Sequence, residues 1–268
     1  MGSTVVDAPP PIISAQGITK RFRRKDQIVS AITDVDLDIA RGEFVCIVGP
    51  SGCGKSTLLN MSAGLMEPSH GTLLFDGKPI DGPNTEVGYI TQKDNLLPWH
   101  TVEGNIGLAL SIQHMEKSKA SARVAEMIEM VGLKGFEKSY PGELSGGMRK
   151  RVGLARTLAY DPPVLLADEP FGALDAQLKL VMQSELQRIW AETGKTVLFV
   201  THDISEAVAL GDRVIVMSSR PGQIKVDRRI DIPRPRDVFK IRHQPGFADL
   251  AEELWEILAA DMHSGEDM

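Results

Sequence analysis

"GPSGCGKST", residues 49 to 57, limits this chain more than any other stretch. Such a run works only where a buried strand delivers it into the start of a helix. Both flanks are present. Phe44 to Val48 is an unbroken apolar run, as a strand covered on both faces reads, and "KSTLLNMSAGL" has helical character. The glycines let the backbone wrap an anion without Cβ clashes, while successive N–H groups turn inward as an anion nest. The binding loop is therefore Gly49, Pro50, Ser51, Gly52, Cys53, Gly54, Lys55, Ser56 and Thr57. Lys55 offers a point charge to β- and γ-phosphates, and the Ser56 hydroxyl can ligate Mg²⁺. The ligands expected from these residues alone are the phosphates of a nucleotide and Mg²⁺.

A second signal lies downstream. "VLLADEP", residues 164 to 170, reads as a buried strand that carries Asp168 to its C-terminal end, where ligands of open α/β sheets sit. Asp168 can hold the Mg²⁺ shell. Glu169 is placed to polarise an attacking water as a general base. Strands return at "TVLFV" and "RVIVM", separated by helices such as "DAQLKLVMQSELQRIWAETG", ending at Gly194. This alternation predicts a parallel sheet with helices on both faces. Ahead of the loop, "AITDVDLDI" alternates as a half-exposed strand, and "GTLLFDGKPI" reads as a sheet edge with an Asp-Gly turn. From about 94 to 158 the pattern is helical, so a helical subdomain is inserted in the core. The basic run "KRFRRK", 20 to 25, reads as a solvated turn.

Bulk properties exclude several classes. A net charge of −6 argues against a protein that coats nucleic acid. No run reaches the ~18 apolar residues of a membrane span, and the first residues match neither a secretion signal nor a myristoylation site. Any membrane role must come through a partner. Cys46 and Cys53 have no metal-like spacing, and Cys53 lies in the binding loop, which fits a reducing compartment. His70, His100, His114, His243 and His263 read as structural.

Taken in order, the phosphate loop, "LSGGM" (144 to 148), "VLLADEP", "ALD" and "TH" resemble the ATPase subunits of ATP-binding cassette (ABC) transporters, from about residue 13 to about 258. The resemblance implies a P-loop (RecA-like) α/β core with an N-terminal antiparallel β subdomain and the helical insertion. The first dozen residues, with three consecutive prolines, read as a disordered arm (1–12), followed by an ATPase domain (13–220) and a short tail with an amphipathic helix (221–268). The resemblance implies roles for seven further residues. Phe22 is similar to the aromatic that stacks on adenine, and Gln92 to the glutamine that reaches Mg²⁺ and senses the γ-phosphate. Asp175 is similar to the aspartate at the dimer seam, and His202 to the histidine at the γ-phosphate. Ser145, Gly146 and Gly147 resemble the family's second phosphate site, which serves the partner subunit's nucleotide in a head-to-tail homodimer. The family's usual glutamine is Met148 here, which cannot make an amide's hydrogen bonds, and Ala167 replaces a common leucine.

The strings "GPNTEVGYITQKDNLLPWHTVEGNI", "DEPFGALDA" and "SSRPGQI" resemble the nitrate/sulfonate/taurine importers. That implies two permease subunits, an extracytoplasmic solute-binding protein, a position on the cytoplasmic face of the membrane, and no nucleic-acid partner. It also implies that the long C-terminal regulatory domain of some other importers is lacking. Leu96, Leu97, Pro98 and Trp99 form an apolar knob expected to dock on the permease. The alternatives are a soluble cassette ATPase of DNA repair or translation, an importer of another small organic solute, and a metabolic P-loop kinase.

Overall fold

The computed structural model describes residues 10–24 and 27–264. Strands β1 (Ile13–Arg24) and β2 (Gln27–Ile39) pair antiparallel, with Ile13 opposite Ile39 and Phe22 opposite Val29. β3 (Phe44–Val48) is wholly buried and feeds α1 (Lys55–Ser62) through the phosphate loop. β4 (His70–Phe75) and β5 (Lys78–Pro79) form the expected hairpin. Its turn residues Asp76 and Gly77 both take positive φ, 49° and 72°, as the right-handed twist of a tight hairpin requires. β6 (Val87–Ile90) follows, then three helices, α2 (Val102–Ile112), α3 (Lys117–Met130) and α4 (Gly146–Ala159). The chain continues through β7 (Val164–Asp168), α5 (Ala176–Thr193), β8 (Thr196–Val200), α6 (Ile204–Leu210), β9 (Arg213–Met217), β10 (Ile224–Arg229) and α7 (Phe247–Ser264).

Two sheets result. The smaller is antiparallel, in the order β2-β1-β4-β5; the larger runs β10-β9-β3-β8-β7-β6 and is parallel except for β10. Alternation along each central strand divides its side chains between two cores. Val45, Ile47, Leu198 and Val200 face α1 and the small sheet, while Phe44, Cys46, Val197 and Phe199 face the helices. The large sheet is thus sandwiched, and its apolar central strands follow from burial on both faces. Helices α2, α3 and α4 pack on one another as the inserted subdomain.

Three sequence expectations need correction. The arm over 1–12 is too long. Residues 1–9 lie outside the described residues, but Ile12 is buried and its N–H donates to the Ile39 carbonyl at 2.8 Å. The boundary at 220 is misplaced, because β10 begins at Ile224 and completes the large sheet. Buried Arg236 also ties the tail to α6, donating to the carbonyls of Val208 and Gly211. The strand "IKVDRR" was obscured by its charges, which suit a half-exposed edge. The basic run at 20 to 25 is no turn through Arg24, since Arg21 to Arg24 pair with Gln27 to Ser30; Lys25 lies outside the described residues.

Candidate nucleotide site

Sheet order explains the site. In a parallel sheet all C-terminal strand ends share one edge. The order β3-β8-β7-β6 therefore sets the phosphate loop, His202, Asp168 with Glu169, and the approach to Gln92 in one row.

Lys55 opens α1 and is buried, with Nζ donating to the carbonyls of Gly49 at 2.7 Å and Pro50 at 2.9 Å. The ammonium is thus held inside the loop. Gly54 precedes it with φ 103°, and a Cβ there would come within 2.3 Å of an Ile32 methyl. Only glycine fits both demands. Cys53 is buried beside Lys55, and burial pushes its thiol above the usual range despite the nearby ammonium.

The Ser56 hydroxyl donates to Asp168 Oδ1 at 2.9 Å. Burial raises the Asp168 carboxyl above the ordinary carboxylate value; the Ser56 hydrogen bond opposes this, and the charge of Glu169 adds to it. Hydroxyl and carboxylate oxygens are hard ligands of the kind Mg²⁺ takes, and Mg²⁺ is commonly bound through one or two such groups plus phosphates. Among the described residues no cluster of three or more His, Cys, Asp or Glu could cage a metal. The Ser56–Asp168 pair therefore fits an ion that shares its shell with a nucleotide.

Glu169 has φ 44°, an uncommon conformation for a side chain of this size. Its N–H donates to the Val200 carbonyl at 3.0 Å, and its own carbonyl accepts from Gly172 at 3.1 Å. The carboxylate Oε2 lies 3.2 Å from His202 Nδ1. Gln92 stands two residues beyond β6, past the strand end expected for it. A Cβ on Gly172 would lie 3.3 Å from the Gln92 amide nitrogen and 3.6 Å from Glu169 Oε2, so both side chains border that glycine.

Phe22, Ser51, Lys55, Ser56, Thr57 and Glu169 line one cavity of about 360 Å³. A larger groove of about 730 Å³ runs along α2 and α3 and shares no residue with it. Phe22 is partly open to solvent, on an exposed stretch of β1, with the Lys20 ammonium 5.5 Å from its ring centroid.

The "LSGGM" residues stand apart. None of Ser145, Gly146, Gly147 or Asp175 is among the described residues lining the cavity. Ser145 caps α4, its Oγ accepting from Met148 N at 3.3 Å, and is exposed. Asp175 caps α5 by accepting from Leu178 N at 3.0 Å. Leu178 packs onto Gly147, where a Cβ would come within 2.6 Å of its methyl. The two helix starts are thus neighbours. Met148 packs against the helical core, which gives its apolar side chain a place without an amide.

Comparison with known proteins settles the family. The ABC transporter family model matches residues 32–172. The chain belongs to the ABC transporter family. The taurine import ATP-binding protein of Rhizobium johnstonii is 44% identical over 249 residues, 91% of this chain and 94% of that protein. The aliphatic sulfonates import ATP-binding protein of Bacillus cereus is 44% identical over 224 residues, 84% and 88% of the two chains. Among solved structures, a dimeric post-hydrolysis ATP-binding cassette bound to ADP and Pi superposes with a TM-score of 0.72 at 33% identity. That match spans 82% of this chain and 100% of the other. This ABC cassette is accordingly an ATP-binding, ATP-hydrolysing subunit.

Three groups at this cassette's site escaped the sequence reading. Tyr89 donates to Asn60 Oδ1 at 3.1 Å, and burial raises its phenol. Lys150 of α4, also buried, grips the Gln92 carbonyl and pairs with Asp94 at 2.9 Å, which joins the "LSGGM" helix to the Gln92 loop. Arg220 lines the same cavity as Lys55 and Ser56 and donates to the Gly52 carbonyl. The only sequence signal for Arg220 was "SSRPG" following a buried strand.

Proposed function

We propose that this chain powers import of a small anionic solute such as nitrate, taurine or an alkanesulfonate. It acts as a head-to-tail homodimer on two permease subunits, at the cytoplasmic face of the membrane, fed by an extracytoplasmic solute-binding protein. The catalytic part rests on one observation above others: the Glu169 carboxylate, 3.2 Å from His202, beside the Ser56–Asp168 pair. In this reading Lys55 and the loop amides hold the β- and γ-phosphates, and Phe22 carries the adenine. Ser56 and Asp168 would hold Mg²⁺, with Gln92 reaching it from the loop after β6. The metal supplies Lewis-acid polarisation of phosphoryl oxygens. Glu169 accepts the proton of the attacking water at its carboxylate, and His202 orients that carboxylate and meets the γ-phosphate.

The displaced position of Ser145, Gly146 and Gly147 supports a shared site. Each chain's α4 start offers a serine hydroxyl and unpaired amides, with the helix dipole favouring an anion. They lie outside their own chain's cavity, as a surface serving a second subunit's nucleotide would. The dimeric relative supports this. Trp99, 69% exposed, supports the permease contact, with Pro98 exposed beside it; Leu96 instead packs inward. No helix among the described residues is long and apolar enough to cross a membrane, so the membrane contact is assigned to partners. The solute class rests on the named functions of the relatives. Its test is uptake of labelled taurine and a short alkanesulfonate in cells with and without the gene. Unchanged uptake of both, with ATPase activity intact in the purified subunit, contradicts the taurine and alkanesulfonate assignment.

A further inference from the structure

We propose that Arg220 is a nucleotide-binding residue whose guanidinium, anchored on the Gly52 carbonyl, donates its remaining N–H groups to the phosphate chain. The proposal rests on the reading of the cavity as the ATP site and adds a cation to it. Arg220 lines that cavity together with Lys55, Ser56 and Thr57. Its Nε and Nη2 donate to the Gly52 carbonyl at 3.2 and 3.1 Å. A guanidinium carries five N–H donors in a rigid fork, so about three remain beyond this anchor.

Among the described residues no carboxylate answers the side chain's charge. Arg213, Arg228 and Arg234 each pair with a carboxylate. Among the described residues none pairs with Arg220. A cation fastened to a carbonyl of the phosphate loop itself, with no acid on it among the described residues, is disposed for a polyanion rather than for a structural ion pair.

Its backbone is held in place from three sides. Gly222 N donates to the Ala31 carbonyl at 2.9 Å, and Thr33 N to the Gly222 carbonyl at 3.0 Å, which bridges this loop to β2. A Cβ on Gly222 would lie 1.9 Å from the Cys53 carbonyl oxygen, so the loop rests directly on the phosphate loop. From α7, Asp261 accepts the Ser219 N–H. The guanidinium therefore reaches the cavity from a fixed base, which limits the entropy lost when it engages a ligand.

The experiment is equilibrium titration of the full chain with ATP, ADP and adenosine at low and high salt, for wild type, Arg220→Gln, Arg220→Lys and Lys55→Ala. Glutamine can still donate to the Gly52 carbonyl but carries no charge, so it separates contact with phosphate from support of the loop. Arg220→Gln is expected to weaken ATP and ADP about ten- to a hundredfold, as loss of a charge-assisted hydrogen bond does. Its salt dependence should be shallower than wild type because one exposed charge contact is gone. Adenosine affinity should hold, and Arg220→Lys should recover part of the loss. ATP affinity within twofold of wild type in Arg220→Gln, or an equal loss for adenosine, overturns the proposal. A matched loss in Arg220→Lys with unchanged salt dependence also overturns it. Lys55→Ala keeps the two readings distinct: if it loses ATP while Arg220→Gln does not, only the Arg220 proposal fails. If Lys55→Ala binds ATP as wild type does, the cavity assignment fails with it.

Discussion

Glu169→Gln removes the carboxylate charge and, with it, the ability to accept a proton. The amide has nearly the same volume and meets the same backbone demand at φ 44°. It can also keep the 3.2 Å contact with His202 Nδ1, because an amide offers either an oxygen or an NH₂ to the ring. The Ser56–Asp168 pair is untouched. The repulsion that Glu169 exerts on Asp168 disappears, which favours an ionised Asp168 and its grip on a cation. ATP affinity should therefore hold or improve. What goes is general-base catalysis, worth ~10²–10⁴ in rate, or about 3–5 kcal/mol of barrier. The assay is phosphate release in a single turnover, beside an equilibrium titration with ATP. A rate within threefold of wild type would remove Glu169 from the chemistry. An equal fall in affinity and rate would recast it as a binding residue. With hydrolysis slowed, ATP and Mg²⁺ should also shift the variant to a dimer on gel filtration.

Lys55→Ala should nearly abolish ATP binding, since it deletes the cation held at 2.7 Å from the Gly49 carbonyl; near-wild-type affinity in a titration would refute the role. Asp168→Asn should separate stability from activity. The raised carboxyl binds its proton more tightly folded than unfolded, so its ionisation subtracts stability as pH climbs from the ordinary carboxylate value through the raised one. The melting-temperature advantage of the variant over wild type should grow upward from about pH 4, while Mg²⁺-dependent hydrolysis falls. Glu206 is shifted the same way by burial, but it is common to both proteins and cancels in the difference. An advantage that stays flat with pH would contradict the shift. Trp99→Ala should leave the melt and basal hydrolysis of the lone subunit within a few-fold, because the ring is 69% exposed. It should weaken co-purification with the permease, by ~2 kcal/mol if the ring is a central anchor. Unchanged co-purification would place the contact elsewhere.

Most residues proposed for the catalytic edge stand in short local runs, because the chemistry proposed for them is local. A phosphate loop needs its glycines and Lys55 in one short run, and Asp168 and Glu169 must end a buried strand. The contact of Glu169 with His202 was not legible in the sequence, since it depends on β7 lying next to β8. Elements that answer to distant partners were lost. β10 looks too charged for a strand until β9 is known to cover one edge of it. Ile12 sits behind prolines that suggested disorder, yet β2 and the start of β5's hairpin capture its backbone through Ile39 and Asp76. Arg220 is 168 residues from the Gly52 carbonyl it meets, a distance that no local pattern bridges.

The central claim is that two chains share each nucleotide, and a mixture of two dead variants tests it most directly. Lys55→Ala breaks the phosphate loop. Ser145→Arg puts a long side chain at the exposed cap of α4, where a second subunit's nucleotide would lie. Each homodimer has two broken sites. A mixed dimer has one doubly broken site and one intact site, built from the loop of the Ser145→Arg chain and the α4 start of the Lys55→Ala chain. Phosphate release measured against mixing ratio should rise above both baselines and peak near equal amounts. The rise will be a fraction of wild type if one dead site restrains closure of the other. A flat line at baseline, in samples that crosslinking shows to contain mixed dimers, would contradict the shared site.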